Sequence, residues 1–228
     1  MADVSLITII DTETTGVDPN NDSIIEIAAI LYSLTHAAPV EYISYLLPCE
    51  VNPALAVNGI TPELTSLSSK APYDKILDAW ERRSVAYMAH NAPFDKSFLK
   101  RNTIPFVCSM RDIEWPVPCG SKALVAIALA HGIGVASAHR AMADCDTISR
   151  LLTRVHEMGV DLEQLIARAM RPKVLVRALV SYDDRQLAKD RKFVWSIPPG
   201  YKKEVWNREY FEGEIPTDLP FQTKVLDP

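Results

Sequence analysis

The run LITIIDTETTG (6–16) constrains the fold more than any other part of the chain. Its apolar residues 6–10 predict a buried strand, and Asp11 and Glu13 follow directly. Residues two apart on a strand project from the same face, so the two carboxylates are expected to lie side by side. Such neighbours repel, and each raises the pKa of the other unless a cation lies between them. The stretch therefore indicates either a divalent metal site or an exposed acidic turn made by Gly16, and the motif alone does not decide between them.

Two further stretches each place an acid in a defined local context. In AHNAPFDKSFL (89–99) a predicted strand ends and Pro93 begins a predicted helix, whose first turn holds Asp95. An acid in that position also complements the helix dipole without any further role. In HRAMADCD (139–146) His139 and Asp144 are five residues apart, which is about 140° on one continuous helix. They converge only if His139 lies in the loop before the helix; otherwise both are ordinary surface residues.

The remaining hydrophobic pattern predicts a mixed sheet covered by helices. Strands are expected over 24–33, 41–48 and 84–90, and helices over 73–83, 93–102, 121–132 and 140–159. The proline-containing segment 52–72 predicts a loop with short helical turns. This order of elements is typical of an α/β domain.

The pattern changes near Pro172, which divides the chain into a domain of residues 1–172 and a small α+β appendage of residues 173–228. The appendage is expected to have the order strand–helix–strand–strand. Five of its residues suggest a basic aromatic platform for nucleic acid: Lys192, Trp195, Lys202, Lys203 and Trp206. The alternative is that both tryptophans only form the core of a unit too small to fold without them.

Charge and composition exclude some classes of protein. The net charge of −5 argues against a protein that coats long nucleic acid by electrostatics alone, but it is compatible with a nucleic-acid enzyme whose carboxylates hold metals. The four scattered cysteines indicate reduced thiols. His36, His131 and His156 are expected to be surface residues. No run of transmembrane length and no signal-peptide pattern is visible, so we expect a cytoplasmic protein that does not engage membranes.

Taken together, the three motifs resemble those of the DnaQ-like 3′–5′ exonucleases of the DEDD histidine type, in particular the DNA polymerase III epsilon subunit and exonuclease X types. The resemblance spans about residues 5–155 and extends to NGITPELTSLSSKAP (58–72) and FVCSMRD (106–112). Five residues carry it, in this order: Asp11, Glu13, Asp95, His139 and Asp144. The fold that it implies is a ribonuclease H-like mixed five-stranded sheet flanked by helices.

The resemblance also implies a chemistry. The chain is expected to release nucleoside 5′-monophosphates from DNA 3′ ends with two Mg²⁺ or Mn²⁺ ions. Asp11 would bind both ions, Glu13 and Asp144 one of them and Asp95 the other, while His139 would accept the proton of the attacking water. Six residues beside this site are expected to contact the substrate, with core packing or turn formation as the alternative for each: Thr12, Thr14, Thr15, Ile60, Asn91 and Phe94.

Two other functions stay open at this point. An exoribonuclease of the RNase T or oligoribonuclease type uses the same catalytic groups, and a non-catalytic DnaQ-like scaffold only binds. The expected partners are single-stranded or frayed DNA 3′ ends. A polymerase or a second copy of the chain is a further candidate partner, through the appendage.

Overall fold

The computed structural model describes residues 5–68, 72–135 and 139–226. Contacts along the chain separate two units, Met1–Met170 and Arg171–Pro228. The division therefore lies two residues before the 172/173 boundary that we predicted from the sequence.

The first unit is built on one mixed sheet. Its strands are β1 (Leu6–Thr14), β2 (Ile24–Ser33), β3 (Ala38–Leu46), β4 (Ser84–Ala89) and β5 (Phe106–Cys108). Their order in the sheet is β3-β2-β1-β4-β5, with β1, β2 and β3 antiparallel and with β4 and β5 continuing parallel to β1. The predicted α/β fold with a mixed five-stranded sheet is confirmed.

Helices cover both faces of this sheet. Those of the described first unit are α1 (Leu55–Asn58), α2 (Pro62–Ser66), α3 (Tyr73–Glu81), α4 (Ala92–Leu99), α5 (Leu124–Ala130), α6 (Ala141–Glu157) and α7 (Leu162–Ala169). Ile7 and Ile9 of β1 pack with α5, α6 and α7, whereas Leu6 and Ile10 pack with α3 and α4. Alternate side chains of the central strand β1 therefore pack into the hydrophobic layers on the two faces of the sheet.

The elements differ from the sequence prediction at several places, and three of these differences have a clear structural reason. Strand β1 does not stop at residue 10 but continues to Thr14, because β2 pairs with it along its whole length. Strand β5 was not predicted as a strand, since three residues show no usable periodicity and parallel pairing with β4 determines their conformation. Helix α4 starts at Ala92, so Pro93 is its second residue rather than its first.

The second unit is a four-stranded antiparallel sheet with one short helix. Its elements are β6 (Lys173–Leu179), α8 (Arg185–Asp190), β7 (Val194–Ser196), β8 (Val205–Phe211) and β9 (Gln222–Leu226), and the sheet order is β7-β8-β6-β9. Val176, Ala178, Ala188 and Phe193 form its buried core. The sequence pattern missed β9, because it lies in a proline-spaced tail. None of the helices in the described ranges combines the length and apolar composition needed to cross a membrane.

Candidate active site

The carboxylates of β1 project toward α6. Ile7, Ile9, Asp11 and Glu13 are alternate residues of one strand, so the two acids continue the face whose isoleucines pack against that helix. Asp144 lies in the first turn of α6 and meets them there. One carboxylate oxygen from each of the three acids lies within 4.8 Å of the others, and all three side chains are partly buried. Strand β1 and helix α6 together thus bring three carboxylates into one small region.

Asp95 reaches the same region from the opposite side of β1. It lies in the first turn of α4 and is only 1% exposed. Its Oδ1 accepts hydrogen bonds from the Thr12 backbone N–H (3.0 Å) and from Thr12 Oγ1 (2.8 Å). Thr12 therefore fixes one oxygen of this carboxylate next to the acids of the neighbouring β1 positions.

His139 lies in the connection before α6, as the sequence argument required. The helix begins at Ala141, so His139 is outside it, with a positive φ of 59°. It is exposed and lines the same cavity as Asp144. The positive φ turns the chain ahead of the helix, and the two side chains reach one cavity although they are five positions apart.

Crowding and burial shift the ionisation of all four acids in the same direction. Burial raises the pKa of Glu13 to about 7, with the charge of Asp144 adding to the effect. Burial also raises the pKa of Asp95 to about 7 and lifts that of Asp11 well above its usual range, with Asp95 the next contributor for Asp11. The pKa of Asp144 is raised by burial, and His139 opposes the shift. A bound cation removes this penalty, because it favours the charged form of each carboxylate.

The described residues around these acids match the ligands of a hard divalent cation. Every donor in the cluster is a carboxylate oxygen, and Mg²⁺ and Mn²⁺ prefer oxygen ligands. Asp11, Glu13 and Asp144 make no ion pair with a lysine or arginine in the described part of the chain, so their charges are left for an external cation.

A buried acid, which was not predicted from the sequence, forms an ion pair that holds the start of α6. Glu26 lies on β2 directly opposite Glu13 and is 3% exposed. Its carboxylate accepts hydrogen bonds from Arg140 Nε (3.0 Å) and Nη2 (2.8 Å) and from the Ala141 backbone N–H (3.0 Å). This contact joins β2 to the residues between His139 and Asp144. One signal for this contact is visible in the sequence, a charged residue inside the otherwise apolar run IIEIAAIL.

A cavity of about 480 Å³ connects the predicted residues. Its lining includes all five predicted catalytic residues and four of the six predicted substrate contacts: Asp11, Glu13, Asp95, His139, Asp144, Thr12, Thr14, Asn91 and Phe94. Its apolar wall was not predicted and includes Val17, Val57 and Leu124. The cavity is wide enough for a nucleotide and combines an acidic floor with an apolar wall.

Two predicted substrate contacts lie elsewhere. Ile60 is fully buried and does not line the cavity, because its backbone is held by Asn52 and Asn58 beneath the surface. The Thr15 hydroxyl donates to Asp22 and accepts from the Ser23 backbone N–H, so it closes a loop instead of facing the cavity.

Two further histidines, His90 and His131, are held by contacts within the protein. His90 borders the cavity, but both ring nitrogens are engaged, by Ser109 Oγ (2.9 Å) and by the Lys122 carbonyl (3.0 Å). The surface prediction for His131 is wrong: it is 3% exposed and packs edge-on against Trp115, because it ends α5 inside the domain.

Comparisons with known proteins agree with this arrangement. A family model called RNase_T and described as an exonuclease matches residues 8–113, somewhat less than half of the chain. A solved structure of exonuclease X in complex with 5′-overhanging duplex DNA is 26% identical, with a TM-score of 0.55 over 72% of this chain and 99% of that one. No curated protein sequence matches the chain.

More distant structures share the fold. Exonuclease I of Escherichia coli in complex with a dT13 oligonucleotide is 17% identical, with a TM-score of 0.58 over 76% of this chain and 48% of that one. Exonuclease I of Methylocaldum szegediense is 19% identical, with a TM-score of 0.56 over 91% of this chain and 63% of that one. The chain thus spans only part of the length of these larger proteins.

Proposed function

We propose that the chain is a metal-dependent 3′–5′ exonuclease that releases nucleoside 5′-monophosphates from the 3′ ends of DNA. The observation that carries the proposal is the convergence of Asp11, Glu13 and Asp144 to within 4.8 Å, with His139 on the wall of the same cavity. The exonuclease family match and the similarity to exonuclease X support a hydrolytic nuclease.

Asp11, Glu13 and Asp144 are proposed to hold one cation, with Asp11 and Asp95 serving a second. Bound divalent cations supply positive charge that stabilises the attacking and leaving oxygens of phosphoryl transfer. These residues fit this role, since all their donors are carboxylate oxygens, and burial together with mutual repulsion raises the pKa values of Asp11 and Glu13. Thr12 contributes indirectly, because both of its donors are used to hold Asp95.

His139 is proposed as the general base. It is exposed beside the acids, so solvent reaches it. Its imidazole accepts one proton of the attacking water while the water oxygen forms a bond to phosphorus. The bond from phosphorus to the 3′ oxygen then breaks, and the leaving oxygen takes a proton from solvent. General-base catalysis of this kind contributes about 10²–10⁴-fold.

The rest of the cavity is proposed to hold the terminal nucleotide. Phe94 lines the cavity, and its ring packs against that of Phe98 with the centroids 5.0 Å apart. This packing restricts the Phe94 ring and leaves it positioned to contact a base. Thr14 and Asn91 offer polar groups on the same lining. Asn91 also has a left-handed backbone (φ 67°) directly before α4.

DNA is proposed over RNA because exonuclease X, the similar protein, was solved with DNA. The exoribonuclease alternative uses the same acids, so only substrate preference separates the two. The non-catalytic scaffold is disfavoured, since every predicted ligand and the base line one cavity.

The test is a time course on matched DNA and RNA oligonucleotides labelled at the 5′ or the 3′ end, with Mg²⁺, Mn²⁺ or EDTA. We expect stepwise shortening of 5′-labelled single-stranded DNA with either metal and none with EDTA. Asp11→Asn should abolish this cleavage. The matched control is Asp146→Asn, which removes an acid two positions after Asp144 whose partner is Arg150 (3.9 Å) on the exposed face of α6.

Two results would contradict the proposal. Cleavage that survives Asp11→Asn removes the metal assignment, and faster trimming of RNA than of DNA selects the exoribonuclease alternative. His139→Ala should lower kcat by about 10²–10⁴-fold while Mn²⁺ binding, measured by calorimetry, is retained. Loss of Mn²⁺ binding instead makes His139 a ligand rather than a base.

A further inference from the structure

The second unit carries an exposed aromatic surface that its own folding does not explain. Trp195 of β7 and Trp206 of β8 are paired residues of neighbouring strands, with ring centroids 5.4 Å apart. Trp206 is partly buried and packs on the core of the unit. Trp195 is 50% exposed and lies on an edge strand, two residues before the exposed Ile197. The core thus accounts for Trp206, whereas half of the Trp195 side chain remains in water.

One lysine lies over this aromatic pair, and three more lie in the segments that flank β7 and β8. The Nζ of Lys189 is 5.9 Å from the ring centroid of Trp206, Lys192 precedes β7 by two residues, and Lys202 and Lys203 lie in the connection that leads into β8. All four lysines are exposed. We call this set of residues the Trp195 surface: Trp195, Trp206, Lys189, Lys192, Lys202 and Lys203.

The lysines of the Trp195 surface differ from the arginines of the same unit in their ion pairing. Arginines of the same unit do pair with acids, Arg171 with Glu214 and Arg191 with Asp218. Within the described residues, no carboxylate lies at ion-pair distance from any of the four lysines. Their charges are therefore available to an external anion.

The local charge also differs from that of the first unit. Residues 185–203 contain six basic residues and one acid, and residues 171–228 carry a net charge of +2. Residues 1–170 carry −7. A positive, aromatic surface on an otherwise acidic chain fits a polyanion that also presents flat apolar faces.

We propose that the Trp195 surface binds single-stranded nucleic acid, with a base stacked on Trp195 and with the lysines contacting phosphates. Stacking on an exposed aromatic ring tolerates any sequence, and lysine contacts to phosphate add salt-dependent affinity. The proposal concerns the same class of substrate as the proposed exonuclease activity, but it rests on the second unit alone. It gives the chain a second binding site for the nucleic-acid strand, in addition to the acidic cavity.

The test measures binding without turnover. The full chain carrying Asp11→Asn is titrated in EDTA against a fluorescent oligonucleotide of about 30 thymidines, long enough for a single-strand site of about 4–16 nucleotides. Adding Trp195→Ala should weaken binding about 10-fold, the effect of losing one base stack. Trp195→Phe should retain most of the affinity because a ring remains. Val225→Ala is the control, an exposed apolar residue on β9 at the opposite edge of the sheet.

The lysines are tested by salt dependence. Replacing Lys202 and Lys203 together by glutamine should reduce the slope of log affinity against log salt by about 1.4, since each phosphate contact on a single strand contributes about 0.7. Lys224→Gln, an exposed lysine on β9, should leave the slope unchanged.

Three outcomes would overturn the proposal: equal binding by Trp195→Ala and its parent, an unchanged salt slope, or Trp195-dependent binding to phosphatidylserine vesicles with none to the oligonucleotide. Failure of the exonuclease proposal is distinguishable, because it leaves oligonucleotide binding intact and removes only cleavage. In the chain with Asp11 intact, hydrolysis of thymidine monophosphate p-nitrophenyl ester should be the same with and without Trp195→Ala. That equality checks that the first unit is undisturbed.

Discussion

Glu26→Gln tests whether the buried contact between β2 and α6 sets the geometry of the proposed catalytic groups. The substitution keeps the size of the side chain and one carbonyl oxygen, which still accepts from the Ala141 N–H. It removes the negative charge that Arg140 holds with two nitrogens, at 3.0 and 2.8 Å. His139 and Asp144 lie on either side of this contact, so its loss acts on both.

The magnitude follows from the exposure of the two partners. A hydrogen bond to a charged group contributes about 1.5–3 kcal/mol, but the Arg140 side chain is 42% exposed and can turn to water. We expect Glu26→Gln to lower the free energy of unfolding by about 1–3 kcal/mol. Arg140→Gln should cost more, about 3–5 kcal/mol, because the charge left behind is then the buried Glu26.

The substitution should lower kcat by a larger factor than its effect on the free energy of unfolding suggests. A displacement of about 1 Å in a positioned group costs about 100-fold in rate, so kcat of Glu26→Gln is expected to drop by about 10–100-fold under conditions where the protein stays folded. Glu26→Asp retains the charge and should recover part of the loss. Urea unfolding, amide hydrogen exchange along α6 and oligonucleotide cleavage provide the readouts.

The control is Glu157→Gln, which removes an exposed partner of Arg154 at the far end of the same helix (3.1 Å). Exposed pairs contribute only about 0–1 kcal/mol, so this variant should match the wild type in unfolding and kcat. Wild-type values of both quantities in Glu26→Gln, or an equal loss in Glu157→Gln, would show that this contact does not set the geometry.

Three further predictions concern the same site. The free energy of unfolding of the metal-free protein should fall as the pH rises from about 4, where unfolded carboxyls ionise, to about 7. The reason is that Glu13 and Asp95 keep their protons to a higher pH in the folded state than in the unfolded state. Thermal melting in EDTA should show this trend, and Mn²⁺ should reverse it. Thr12→Val removes the 2.8 Å hydroxyl bond to Asp95 and should weaken Mn²⁺ binding by about 10–100-fold, as measured by calorimetry. Gly16→Ala places a Cβ against the Asp22 carboxylate and should lower the melting temperature, whereas an unchanged melting temperature would show that the loop adapts freely.

The sequence was most informative where the chemistry is local. The spacing of Asp11 and Glu13 predicted two carboxylates on one face, and the structure gives them a common strand face toward α6. Helix geometry also gave a condition for His139, which can reach Asp144 only from the loop before the helix, and in the structure His139 lies there. These are arguments over a few residues, and strand and helix periodicity suffices for them.

Long-range contacts account for what the sequence did not predict. Glu26 and Arg140 are 114 positions apart, and only the fold shows that one caps the helix that the other begins. Strand β5 exists because β4 offers it a partner, and the strand character of residues 11–14 depends likewise on β2. His131 was misassigned because polarity alone cannot show that a helix end points into the protein interior.

The position of β1 has a consequence for how the cavity adjusts to a substrate. The strand is the middle one of five and pairs with β2 along its full length, from Leu6 opposite Ser33 to Thr14 opposite Ile24. Moving Asp11 or Glu13 would mean breaking the centre of the sheet. In the proposed exonuclease, the acids of β1 would therefore stay in place from one cleavage to the next, and the cavity walls outside the sheet would adjust to each new nucleotide.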